Sequence, residues 1–176
     1  MSALFLTGPP GSGKTTALRR AAAEALRGGW RVGGFYTEEI REAGVRRGFR
    51  AITLDGETRD LARVDMRGPA RVGRYGVDVG VMDALAATLR PDPRVDAWFV
   101  DEIGKMECLA PRFVAAMRAL LDAGVPVVAT IALRGGGFIA EVKRRPDVEL
   151  RTLGRATRDA APAGIADWLE SRRPPR

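Results

Sequence analysis

Apolar residues fall in short blocks separated by polar, glycine-bounded segments. ALFLT at 3–7, WFV at 98–100 and VPVVATI at 125–131 are nearly uninterrupted. Blocks of that length read as strands buried on both faces, as parallel strands are. TTALRRAAAEALR at 15–27 is rich in Ala and Leu and stops at Gly28-Gly29, which predicts a helix with a glycine end. VMDALAATL at 81–89 reads as a second helix, stopping before Pro91. PRFVAAMRALLDAG at 111–124 reads as a third, with Phe113, Met117, Leu120 and Leu121 on one face. RVGGFYTEEI at 31–40 and FRAITLDG at 49–56 flank a glycine-containing turn and predict a hairpin over 34–56. Residues 57–80 are polar, rich in Arg and Gly, and receive no element. VELRTL at 148–153 reads as a last short strand, and GIADWLESRR at 164–173 as a last helix.

Strands alternate with helices in the outer parts of the chain, and the hairpin is inserted between them. That order predicts an α/β fold with a mostly parallel central sheet and helices on both faces. With 176 residues, no internal repeat and no long linker, residues 1–176 read as a single domain whose tail, 172–176, frays. No apolar stretch approaches the ~20 residues that span a membrane, and the N-terminus lacks a basic region before its apolar run. The cytoplasm is the default location, with no membrane partner and a monomer as the default state.

Composition then removes several chemistries. There is one cysteine and no histidine. An intramolecular disulfide is impossible, and the usual general base and zinc ligand are absent. Proton handling falls to carboxylates, Lys, Tyr or positioned water. The formal net charge of +7 suits an anionic partner, a nucleotide or a nucleic acid.

The strongest chemical signal is GPPGSGKTT: Gly8, Pro9, Pro10, Gly11, Ser12, Gly13, Lys14, Thr15 and Thr16. It fits the phosphate-loop spacing G-x-x-x-x-G-K-[ST], between a strand and a helix as that motif requires. Glycines let successive backbone N–H groups surround a phosphate, and the following helix aims its positive end at the same anion. Lys14 is expected on the β- and γ-phosphates, Thr15 on Mg²⁺, and Thr16 near the α-phosphate. The loop predicts a nucleoside triphosphate without specifying its base or fate.

AWFVDEIGKMEC at 97–108 ends a buried strand on two adjacent acids. Asp101 is the expected second protein partner of the metal. Glu102 is the expected water-orienting group. Successive strand residues point to opposite faces, so the two acids need not share one position. Lys105 either neutralises phosphate charge or pairs with Glu107 at the surface. The basic segment 133–146 is a candidate lid, with Arg134, Lys143, Arg144 and Arg145 available to close on the phosphates. Glu38 and Glu39 face Arg46 and Arg47 across the hairpin turn and read as ion pairs.

GPPGSGKTT, GFYTEEIREAGVRRGFRAITLDG, RVGRYGVDV and FVDEIGKME, in this order and at these spacings, resemble the cytosolic nucleoside-triphosphatase family of thermophilic and cancer-related NTPases. The resemblance covers nearly the whole chain. It implies a RecA-like P-loop architecture and slow, Mg²⁺-dependent hydrolysis of nucleoside triphosphates with broad base tolerance. It also implies that nucleotide is bound by the phosphate loop and by Trp98, Phe99, Val100, Asp101, Glu102, Ile103, Gly104 and Lys105. The family carries an Asn-Arg pair near its C-terminus; here Thr157 precedes Arg158 in RATRDAAP. Two rivals share some of these features. A small-molecule kinase has the same loop but needs an acceptor pocket. An NTP-gated nucleic-acid-binding module suits the charge, but no RNP-like, KH or zinc-finger pattern supports it.

Overall fold

The computed structural model describes residues 1–173. The strands are β1 (Ala3–Thr7), β2 (Val32–Glu42), β3 (Val45–Thr53), β4 (Thr58–Arg63), β5 (Arg71–Val72), β6 (Tyr75–Val77), β7 (Ala97–Ile103), β8 (Val127–Ile131) and β9 (Val148–Thr152). The helices are α1 (Lys14–Arg27), α2 (Val79–Thr88), α3 (Pro111–Asp122), α4 (Gly137–Lys143) and α5 (Ala161–Glu170). All strands join one sheet in the order β5-β6-β4-β3-β2-β7-β8-β1-β9. From β2 to β9 neighbouring strands run parallel. From β2 outward to β5 they run antiparallel.

The parallel strands are apolar on both faces because both are covered. Leu4, Leu6, Ala97, Phe99 and Val128 meet α1 and α5 on one side. Their alternates Ala3, Phe5, Trp98, Val100, Val127 and Ala129 share the other side with α2, α3 and α4. On α1 the face is mostly alanine, with Ala17, Ala21, Ala22 and Ala25 around Leu18, and small side chains let a helix lie close to a sheet. α2 starts at Asp78, whose carboxylate accepts from the Val81 N–H at 3.1 Å. α3 carries Pro111 at its first turn, where no N–H partner is needed.

The hairpin over 34–56 is part of something larger. β2 and β3 pair antiparallel, and β4, β6 and β5 continue from β3. Residues 57–80 therefore hold three strands and the start of α2, where the sequence suggests no element. Their strands are short and lie in the outer, antiparallel part of the sheet, and charged residues of β4 such as Arg59, Asp60 and Arg63 dilute the apolar alternation. Arg63 pairs with Glu42, Asp60 and Asp65 instead. The tail departs from its expected fraying in its first two residues. Arg172 stacks 3.9 Å over Trp168 and donates to the Met1 carbonyl, and Arg173 pairs with Glu170. The rest of that tail, 174–176, lies outside the described residues.

Phe113 is fully buried and meets Phe35 edge-on, ring centroids 6.3 Å apart, which fastens α3 to β2. Phe113→Ala should cost about 3–5 kcal/mol, read as a lower urea midpoint at unchanged slope; a loss below about 1 kcal/mol would contradict this packing.

Candidate nucleotide site

The phosphate loop connects β1 to α1. Gly13 is the N-cap of α1 at φ 94°, a left-handed conformation that glycine adopts without a Cβ clash. The first turn of α1 thus presents its N–H groups to the space beside the loop. Lys14 folds back over that loop, its Nζ donating to the Gly8 carbonyl at 3.0 Å.

Asp101 lies opposite, fully buried near the end of β7. Its carboxylate accepts hydrogen bonds from three threonine hydroxyls on three elements. Thr15 of α1 donates at 3.0–3.1 Å, Thr37 of β2 at 2.9 Å, and Thr130 of β8 at 2.5 Å. The Thr37 N–H adds a further bond at 3.1 Å. Sequence reasoning paired Asp101 with Thr15 but missed Thr37 and Thr130. Both sit within strand blocks, where a lone threonine is ordinary β-former chemistry. The signal that singles them out is their position on the two strands flanking β7.

The two acids are separated by a bulge, which departs from strict strand alternation. Between the pairs Val100–Ala129 and Ile103–Ile131, β7 takes three steps to two in β8. The extra residue falls at the acids, whose shared peptide bond is cis. Bulges re-aim side chains beside functional sites. Accordingly, Glu102 lines the same cavity as Lys14 and Thr15 instead of an opposite face. Burial holds the Glu102 carboxyl above its ordinary range, the Asp101 charge adds to this, and Lys14 opposes it.

That cavity, about 970 Å³, is bounded by the loop, by Glu102 and Arg134, and by the hairpin residues Thr37, Glu38, Glu39, Arg46 and Phe49. Of the ion pairs expected across the hairpin turn, Glu39–Arg46 forms and lies on the cavity wall, whereas Glu38 and Arg47 pair elsewhere. Arg46 pairs with Glu39 at 2.8 Å and donates to the Tyr75 hydroxyl at 3.0 Å. Glu38 pairs with Arg19 on α1, and Arg47 with Glu42. A second cavity, about 310 Å³, runs from Glu102 past Lys105, Glu107 and Arg134.

Among the other expected site residues, Trp98, Phe99, Val100 and Ile103 are core side chains that position the strand end. Of the candidate lid cations, Arg134 alone lines a cavity described above. Lys143 donates to the Leu133 carbonyl at 2.8 Å, Arg145 pairs with Asp122 and Asp147, and Arg144 caps α4. Phe138, Ile139 and Val142 anchor α4 in the core, so the segment is a packed element instead of a free flap. Cys108 is a bystander, its thiol pushed up to about 11 by burial.

Lys105 makes no ion pair with Glu107 among the described residues, because Glu107 turns inward. It is 6% exposed and accepts from the Gly104 N–H at 3.2 Å. Gly104 leaves just enough room: a Cβ there would lie 2.9 Å from Glu107 Oε2 and 3.0 Å from Glu102 Oε1. Two carboxyl groups thus flank one glycine closely.

Loop, lysine, threonine and strand-end acid hold the mutual positions of a P-loop nucleoside-triphosphate-binding protein. Its kinship is closer than that class. A model of the NTPase family matches residues 3–166, and the chain belongs to that family. It is 39% identical to "Nucleoside-triphosphatase THEP1" of Thermotoga sp. (strain RQ2), over 89% of each chain. It is 35% identical to the "Cancer-related nucleoside-triphosphatase" of Homo sapiens, over 97% of each. Among solved structures, THEP1 from Aquifex aeolicus superposes with a TM-score of 0.83 at 34% identity, over 96% of this chain and 99% of that one. The human cancer-related nucleoside triphosphatase superposes at 0.85 and 34% identity, over 99% and 100%. No helix among the described residues is long and apolar enough to cross a membrane.

Burial pushes the Glu107 carboxyl up to about 8 from an ordinary 4.5. Between those values the folded chain holds a proton that the unfolded chain has released, so stability falls as pH rises through the window. Glu107→Gln is neutral at every pH. It should melt above wild type at pH 9 and lose that advantage at pH 4; parallel melting profiles would contradict the buried acid.

Proposed function

We propose that the protein hydrolyses nucleoside triphosphates to the diphosphate and phosphate, in a Mg²⁺-dependent reaction. The observation that carries this reading is Glu102, a half-buried carboxylate on the wall of the cavity that also holds Lys14 and Thr15. With no histidine in the chain, a carboxylate is the residue type left to orient a water molecule there.

The donor set fits Mg²⁺, which takes oxygen ligands and keeps several waters. The Thr15 hydroxyl is the direct protein ligand in this reading. Asp101 accepts a hydrogen bond from the Thr15 hydroxyl, which leaves that oxygen's lone pairs free for a metal, and the carboxylate's charge would favour a cation nearby. Held by Thr15 with Asp101 behind it, Mg²⁺ would supply positive charge to offset that of the triphosphate.

The remaining steps belong to the chain's own groups. Backbone N–H groups of the loop and Lys14 hold the phosphates. Glu102 accepts a hydrogen bond from the attacking water and aligns it with the γ-phosphorus. As the bond from the γ-phosphorus to the bridging oxygen breaks and the diphosphate leaves, Arg134, on the cavity wall beside Glu102, offsets charge on the phosphoryl group passing to water. Positioning and electrostatics supply the rate, with no covalent intermediate. The relatives are named nucleoside-triphosphatases, which favours water over an acceptor alcohol or a nucleic acid as the second partner.

Glu102→Gln should lower phosphate release at least ~100-fold, with nucleotide affinity kept within a few-fold. Chelating Mg²⁺ should lower release in the wild type as strongly. Phosphate release by a colorimetric assay and nucleotide binding by calorimetry check both. Unchanged turnover in Glu102→Gln would remove Glu102 from the reaction.

A further inference from the structure

The triphosphate reading leaves the nucleoside without a seat. If the γ-phosphate lies toward Glu102, the α-phosphate lies near Thr16 and the nucleoside leaves the loop on its opposite flank. A cavity of about 300 Å³ opens there, between α1 and the segment leading into α5. Gly11, Gly13, Thr16 and Arg20 border it on the side of the loop and α1, and Arg158 and Pro162 on the other.

Arg158 is built onto the phosphate loop. A Cβ placed on Gly13 would lie 3.4 Å from Arg158 Cβ and 3.6 Å from its Cδ, so the arginine stem rests on the glycine backbone. A tight turn holds it there: the Arg158 N–H donates to the Gly154 carbonyl at 3.0 Å, and the Gly154 N–H donates to the Thr157 hydroxyl at 3.0 Å. Thr157 thus has a turn-closing role. Arg20 follows Thr16 by one helical turn and borders the same space. Asp159, 3.6 Å from Arg158, is the one carboxylate on the cavity wall, and its side chain is 88% exposed.

We propose that Arg158, with Arg20 beside it, forms the nucleobase seat and takes the base by its flat face. A guanidinium plane stacks on any base, purine or pyrimidine, without reading its edge. No amide side chain lines this cavity among the described residues to discriminate edges. Broad base tolerance follows from that chemistry. This inference rests on the triphosphate reading above and adds to it where the base lies and why its identity matters little.

The test compares ligands that share the phosphates and differ in having a base. Calorimetry would measure Mg²⁺-loaded wild type, Arg158→Ala and Arg158→Lys against AMPPNP, GMPPNP and inorganic tripolyphosphate. Arg158→Ala should bind both nucleotide analogues roughly fivefold more weakly and tripolyphosphate as wild type does, which also shows the variant is folded. Arg158→Lys, which keeps the charge and loses the plane, should weaken the analogues similarly. Equal loss on tripolyphosphate would make Arg158 a phosphate ligand and overturn the seat, as would unchanged analogue binding. Wild type that binds none of the three would overturn the triphosphate reading itself.

Discussion

A buried negative charge organises this molecule. Asp101 has no exposed surface, and an unpaired carboxylate in such a place is costly enough that a chain protonates or rearranges to avoid it. Here hydroxyl and amide donors surround it, and each charge-assisted hydrogen bond contributes about 1.5–3 kcal/mol. The donors come from α1, β2 and β8, so satisfying one carboxylate sets the relative positions of three elements around β7. The phosphate loop is held in place through Thr15, the residue after its lysine. Packing on the two sheet faces brings these elements together, and Asp101 sets their final register at the site.

The bulge at Asp101–Glu102 joins this structural anchor to the cavity beside the phosphate loop. It leaves Asp101 beneath the surface with its threonines and turns Glu102 into the cavity. The antiparallel half of the sheet then supplies the far wall. Arg46 is steadied by Glu39, Tyr75 and the Phe49 ring, 5.3 Å from its guanidinium carbon. A cation fixed in that way loses little side-chain freedom when an anion arrives. The inserted strands therefore wall the cavity beside the phosphate loop as well as widen the sheet.

Elements whose physics is local are legible in the sequence. The buried strands, the glycine-ended α1, the amphipathic α3 and the phosphate loop each carry a pattern that one short window reveals. The strands within 57–80 do not, because they are short and β4 carries charges that are satisfied only by partners such as Glu42, distant in sequence. Thr37 and Thr130 are silent for a similar reason: a hydroxyl that serves a buried carboxylate looks like any strand threonine until the strand order is known. Lys143 and Arg145 mislead in the opposite direction. Their charge suggests a lid, whereas backbone carbonyls and acids within the fold already hold them. Arg158 becomes meaningful once Gly13 is seen beneath it.

The central claim is that water, oriented by Glu102, attacks the γ-phosphorus directly. The stereochemical course of hydrolysis reports on that most plainly. With a substrate made chiral at the γ-phosphorus by oxygen isotopes and sulfur, hydrolysed in isotopically distinct water, a single in-line displacement inverts the configuration of the released thiophosphate. Inversion is the predicted result. Retention would require two displacements through a phosphorylated group of the protein, and would contradict the account.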